Sequence, residues 1–164
     1  MQLRLVPLAE EHLAEVGAAL DDPDVARFTR LPSPAPDGFL GPWLERYRQP
    51  NRKAFAAVDE QDRFLGVALA PEINAEAGEM ELGYLVPRTL RNRGIATELL
   101  RQLTDWALST GAFRLTLLID RANVASQKVA ERAGYQLEGT MRATYVKPGV
   151  RTDIQLWSRL ASDR

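Results

Sequence analysis

The stretch RNRGIATELL, residues 91–100, sets Arg91, Asn92 and Arg93 ahead of Gly94 and a helical apolar pattern. The first four N–H groups of a helix have no intrahelical partner, and the aligned peptide dipoles add partial positive charge at that end. A turn that presents those donors together binds phosphate oxygens. Gly94 and Ala96 remove bulk where backbone must approach an anion, Arg91 and Arg93 offer charged donors, and Thr97 offers a hydroxyl. Neither the glycine spacing of a dinucleotide-binding turn nor the Gly-Lys-Ser/Thr ending of an ATP-binding loop is present. Taken alone, the stretch also fits a plain strand–helix turn with exposed arginines. The surrounding residues must decide.

They exclude several chemistries. The chain has no cysteine, so it has no thiol nucleophile, no thiolate metal site and no disulfide framework. His12 is the only histidine, which rules out a histidine-based triad and a multi-histidine zinc site. Its place in the first helical pattern reads as solvated. A net charge of −1 argues against a general nucleic-acid binder. The charge is unevenly divided: acids outnumber bases before residue 91, and bases outnumber acids after it. That division suits an anionic ligand in the second part and a cationic one in the first. At 164 residues, 45% hydrophobic and 26% charged, the chain fits one domain with a sizeable core. No apolar run is long enough for a bilayer, and MQLRLVPLAEEH lacks a signal segment, so the expectation is a cytoplasmic protein without membrane contact.

The elements that would position the turn follow from the apolar period. LRLVPL reads as a strand that Pro7 ends, and Leu8, Leu13, Val16 and Leu20 mark one helical face. DDPDVARF and FLGPWLERYRQ read as short helices around an irregular, proline-rich LPSPAPDG. KAFAAV and RFLGVALA flank a polar turn as a hairpin, and EMELGYLV is a further strand stopped by Pro87. After Gly94, Ile95, Leu99, Leu103 and Trp106 recur at helical spacing up to Gly111. FRLTLLI predicts a central strand buried on both faces. NVASQKVAERAG predicts a helix capped by Asn123 and ended by Gly134, and the remainder a closing hairpin. The sum is a single α+β domain over residues 1–164, with a mixed, mostly antiparallel sheet of about seven strands flanked by helices.

In that setting the residues resemble the GCN5-related N-acetyltransferases. The family signature Gln/Arg-x-x-Gly-x-Gly/Ala is matched by Arg91, Gly94 and Ala96, and a downstream Asn-x-x-Ser with Gly-aromatic by Asn123, Ser126, Gly134 and Tyr135. LRLVPL…DPDVARF and LEGTMR look like the RimJ/RimL-like branch, the ribosomal-protein N-terminal acetyltransferases. The resemblance implies acetyl-CoA as co-substrate, a primary amine as acceptor (a protein N-terminus or a small molecule), no metal, and a sheet splayed at the cofactor. It allows a homodimer. It implies that Arg91, Asn92, Arg93, Gly94, Ile95, Ala96 and Thr97 hold the pyrophosphate. The pantetheine arm would pair with Tyr84, Leu85 and Val86 and bond to Asn123. Direct transfer needs a base for the ammonium proton and a donor for the departing thiolate. Glu81, on the same strand face as Leu85, is the first candidate for the base and Glu79 the second. For the donor, the position where many relatives carry tyrosine is Ala130, which leaves Ser126 as the candidate and Tyr135 and Tyr145 as further options. A catalytically silent acyl-CoA-binding sensor is the competing reading.

Overall fold

Seven strands make one sheet in the order β1-β2-β3-β4-β5-β7-β6. They are β1 (Arg4–Pro7), β2 (Lys53–Val58), β3 (Phe64–Asn74), β4 (Glu79–Leu85), β5 (Arg114–Asp120), β6 (Gln136–Lys147) and β7 (Val150–Leu160). Only β4 and β5 pair in parallel. The computed structural model describes residues 2–163. Five helices cover the sheet: α1 (Leu13–Leu20), α2 (Pro23–Phe28), α3 (Leu40–Arg46), α4 (Ile95–Ser109) and α5 (Val124–Arg132). Among the described residues, no helix is long and apolar enough to cross a membrane.

The helical period fixes which face each helix buries. In α4, Ile95, Leu99, Leu100, Leu103 and Ala107 are almost fully enclosed and pack with Leu82, Leu115 and Leu117 of the sheet. Each leucine so buried contributes about 1.5–3 kcal/mol. On the opposite sheet face, Val16 of α1 and Trp43 and Leu44 of α3 pack with Ala56, Val58 and Val67. A smaller cluster joins Leu20, Val25 and Leu85, which ties α2 to the end of β4. That end is held close to β3, because a Cβ at Gly66 would lie 2.5 Å from the Leu85 carbonyl oxygen. Only glycine permits the approach.

Three expectations need correction. β5 is not buried on both faces: Leu115, Leu117 and Ile119 are enclosed, whereas Arg114, Thr116 and Leu118 are half-buried. β3 does not stop at Pro71 but continues to Asn74, with a register shift between Leu69 and Glu72. Such a bulge accommodates a residue that has no N–H to donate. His12 is not solvated either, since its side chain is only 13% exposed. Its Nδ1 accepts the Ala9 N–H at 3.0 Å, closing the short turn before α1.

Candidate active site

The β4–β5 ladder lasts three residues, Glu79–Glu81 against Arg114–Thr116. Beyond it β4 stays paired with β3 up to Leu85, while β5 stays paired with β7 up to Asp120. The two strands therefore part, and a cleft of about 1080 Å³ opens between them. Gly94, Ala96 and Thr97 line one end, Asn123 and Ser126 the middle, and Glu81, Arg30 and Phe28 the other end. Two strands that diverge leave the facing edge of each without a strand partner. An extended ligand can supply the missing partner.

At the first end the backbone turns sharply. Asn92 and Gly94 both have positive φ, +61° and +78°, and Gly94 is the N-cap of α4. The first helical hydrogen bond runs from the Glu98 N–H to the Gly94 carbonyl, so the amides of Ile95, Ala96 and Thr97 have no partner within the helix. No side chain caps them. A Cβ built at Gly94 meets nothing within 4 Å, which leaves the approach to these amides open. Lys128 and Arg132 of the basic second part also border the cleft, as does Arg88.

Arg91 lines the cleft and is also held within the fold. Its guanidinium bonds Asp22, lies 2.8 Å from Asp24 and donates to the Val86 carbonyl at 3.2 Å. Asp22 is buried and caps α2 by accepting the Asp24 N–H. Arg91 thus fastens α2 to the end of β4, and its charge is spent on two carboxylates. Arg93 is exposed and donates only a long 3.3 Å bond to the Thr89 carbonyl.

Asn123 accepts the Ser126 N–H at 3.2 Å and caps α5, which leaves its amide nitrogen available to a ligand. Leu85 and Val86 are buried on opposite sides of the sheet, so the backbone between them runs along the cleft wall. Glu81 lies at the second end with its side chain 22% exposed, 3.8 Å from Arg30. Burial raises its pKa above the ordinary glutamate value; Arg30 opposes that shift and Glu72 adds to it. Glu79 is exposed, and it is paired in register with Arg114 at the closed end of the ladder. Of the other candidates, Tyr135 bonds Thr104 at 2.7 Å in the core, Tyr145 is exposed on β6, and Ala130 is fully enclosed.

Sequence reading missed Asp22, Asp24 and Arg30. The DDPD run signals a helix cap, but nothing local says that the cap would meet Arg91 or that Arg30 would meet Glu81. Three acids of the first half thus stand in ion pairs beside the cleft. Asp22 and Asp24 face Arg91, and Glu81 faces Arg30.

A family model described as "Acetyltransferase (GNAT) domain" matches residues 2–136. The chain is 30% identical over 122 residues to a probable N-acetyltransferase, YjcK, of Bacillus subtilis, covering 73% of this chain and 66% of that protein. It is 28% identical over 104 residues to an uncharacterized N-acetyltransferase, p20, of Bacillus licheniformis, covering 63% and 58%. The match thus spans less than two thirds of either relative. Spermidine N-acetyltransferase from Vibrio cholerae, solved with CoA and spermine, superposes with a TM-score of 0.88 at 18% identity, covering 99% of this chain and 97% of that one. RimL, a ribosomal L7/L12 alpha-N-protein acetyltransferase solved with CoA, superposes with a TM-score of 0.87 at 18% identity, covering 100% and 97%. At such identities the likeness is one of fold.

Proposed function

The chain belongs to the GNAT acetyltransferase family, and we propose that it transfers an acetyl group from acetyl-CoA directly to a primary amine. One observation carries the reading: a single cleft joins the unpartnered amides at the start of α4 to a half-buried carboxylate, through the gap between β4 and β5. The residues present fit acetyl-CoA. The open approach at Gly94 and the amides of Arg93 to Thr97 suit a pyrophosphate. The unpaired edge along Tyr84, Leu85 and Val86, with the free amide nitrogen of Asn123, suits the pantetheine arm. Acetyl-CoA supplies the activated acetyl group as a thioester.

The protein's residues would then act in turn. A backbone N–H of Leu85 or Val86 would polarise the thioester carbonyl. Glu81, its pKa raised by burial, would take the proton of the acceptor ammonium directly or through water. Ser126 would offer its hydroxyl to the departing sulfur. Asp24 and Asp120 also line the cleft, but Asp24 is bound to Arg91 and Asp120 to Thr152 and the Ala122 N–H, which leaves Glu81, with Arg30 beside it. That balance favours an acceptor presenting a single amine, such as a peptide N-terminus or a small monoamine, over a polycation such as spermidine.

Ala130, enclosed in the core where many relatives carry a tyrosine, favours the competing reading of an acyl-CoA-binding sensor. A panel of peptide N-termini, monoamines and polyamines tested with acetyl-CoA, following free-thiol release alongside calorimetric binding, separates the two. Amine-dependent thiol release supports the transferase. Tight binding with only slow, amine-independent hydrolysis supports the sensor.

A further inference from the structure

The hydroxyl of Tyr84 stands apart chemically from the rest of the core. Among the described residues it is the buried side-chain polar atom that has no hydrogen-bond partner. A buried hydroxyl without a partner is disfavoured, and native structures keep few of them. By strand alternation the Tyr84 side chain lies on the same sheet face as Met80 and Leu82, which pack in the α4 core, and it packs against that core itself. Tyr84 and Ser126 of α5 both line the cleft. Burial pushes the phenol up to about 12, and the neighbouring Ser126 hydroxyl partly offsets that shift. The phenol therefore stays protonated at neutral pH. It is a hydrogen-bond donor, not an acid.

Ser126 is placed to use such a donor. Its amide donates to Asn123, and among the described residues its hydroxyl has no hydrogen-bond partner in the first turn of α5. A serine hydroxyl has one proton and rotates freely about its C–O bond. A donor aimed at its oxygen restricts that rotation and leaves the proton to point elsewhere. We propose that Tyr84 is a positioning residue: its O–H donates to the Ser126 oxygen when the cleft is filled, and so turns the Ser126 proton toward the thioester sulfur. This rests on the acetyl-transfer reading of the cleft. The tyrosine then acts from the strand through the serine, in a chain whose α5 carries alanine at position 130. No proton leaves Tyr84.

Tyr84→Phe removes only the unpartnered oxygen, so the variant should fold with unchanged acetyl-CoA affinity. Its kcat should fall about threefold to tenfold, as for loss of one neutral hydrogen bond. Ser126→Ala should lose a similar factor, and the double variant should lose no more than either single one. Wild-type kcat in Tyr84→Phe, or an equal further loss when Ser126 is already alanine, would overturn the proposal. A second readout does not need turnover. With tyrosine labelled by 13C at the ring carbon bearing oxygen, the resonance absent from Tyr84→Phe should move on adding acetyl-CoA. That movement should be lost in Ser126→Ala. A resonance that moves equally in both proteins overturns the hydrogen bond. If the wild type binds acetyl-CoA but acetylates no amine, the transferase reading fails, and this resonance still decides the contact.

Discussion

Replacing Arg91 with alanine separates the two tasks that its position allows. The structure makes it a fastener between α2 and β4, with a guanidinium about one-third exposed against a nearly enclosed Asp22. Removing one partner of a fully buried ion pair costs about 3–5 kcal/mol. Asp22 keeps the Asp24 N–H at 3.0 Å and water can enter the space left by the side chain, so the lower part of that range applies. Asp24 is half exposed and adds little. The Val86 carbonyl loses a bond whose net contribution is about 0.5–1.5 kcal/mol. With solvent screening at the one-third-exposed guanidinium, these together come to about 2–4 kcal/mol. For a chain of this size the melting temperature should fall by about 5–15 °C. Acetyl-CoA affinity, titrated calorimetrically well below that temperature, should change by less than about threefold, since this guanidinium is not free for phosphate. Arg93→Ala should behave in the opposite way. Its melting temperature should stay near wild type, and its affinity should weaken by about 1–3 kcal/mol through loss of a charge-assisted bond. Wild-type stability in Arg91→Ala together with lost cofactor affinity would refute the assignment of Arg91 to the fold.

Gly94→Val should abolish acetyl-CoA binding in calorimetry, because valine fills the approach to the α4 amides and resists a φ of +78°. The folded state should lose only about 1–3 kcal/mol of local strain. Glu81→Gln should slow transfer at neutral pH at unchanged cofactor affinity, with the deficit shrinking as rising pH supplies free amine; a pH–rate profile identical to wild type would return Glu81 to a plain ion pair with Arg30. In Glu138, the Arg114 hydrogen bond holds the carboxyl down at about 2. Its stabilising effect is therefore present above the ordinary glutamate range and is lost as pH falls from about 4.5 toward 2. Solvent screening keeps that effect small at this exposed site. The melting temperatures of wild type and Glu138→Gln should accordingly converge on acidification.

What the sequence determined by itself is local or periodic. Helical spacing from Ile95 to Trp106 and the alternation in KAFAAV mark elements because each side chain's face depends only on its neighbours along the chain. The turn before α4 was legible for the same reason: Gly94, the helix it starts and the free amides behind it are contiguous. Asn123 as a cap is local too. The roles of Arg91, Glu81 and Tyr84 were not legible to that degree, because each depends on a partner from a remote element. Arg91 meets Asp22 across 69 residues. Glu81 acquires its raised proton affinity from burial, against the opposing charge of Arg30 on the segment after α2. Tyr84 loses its hydrogen-bond partner only once the α4 core closes around it. Even the cleft is tertiary, since it exists because β4 stays with β3 while β5 stays with β7. Charge counts along the chain could not foresee that Asp22 and Asp24 would share Arg91 or that Glu81 would face Arg30, because electrostatic pairing follows distance in space and not position in sequence.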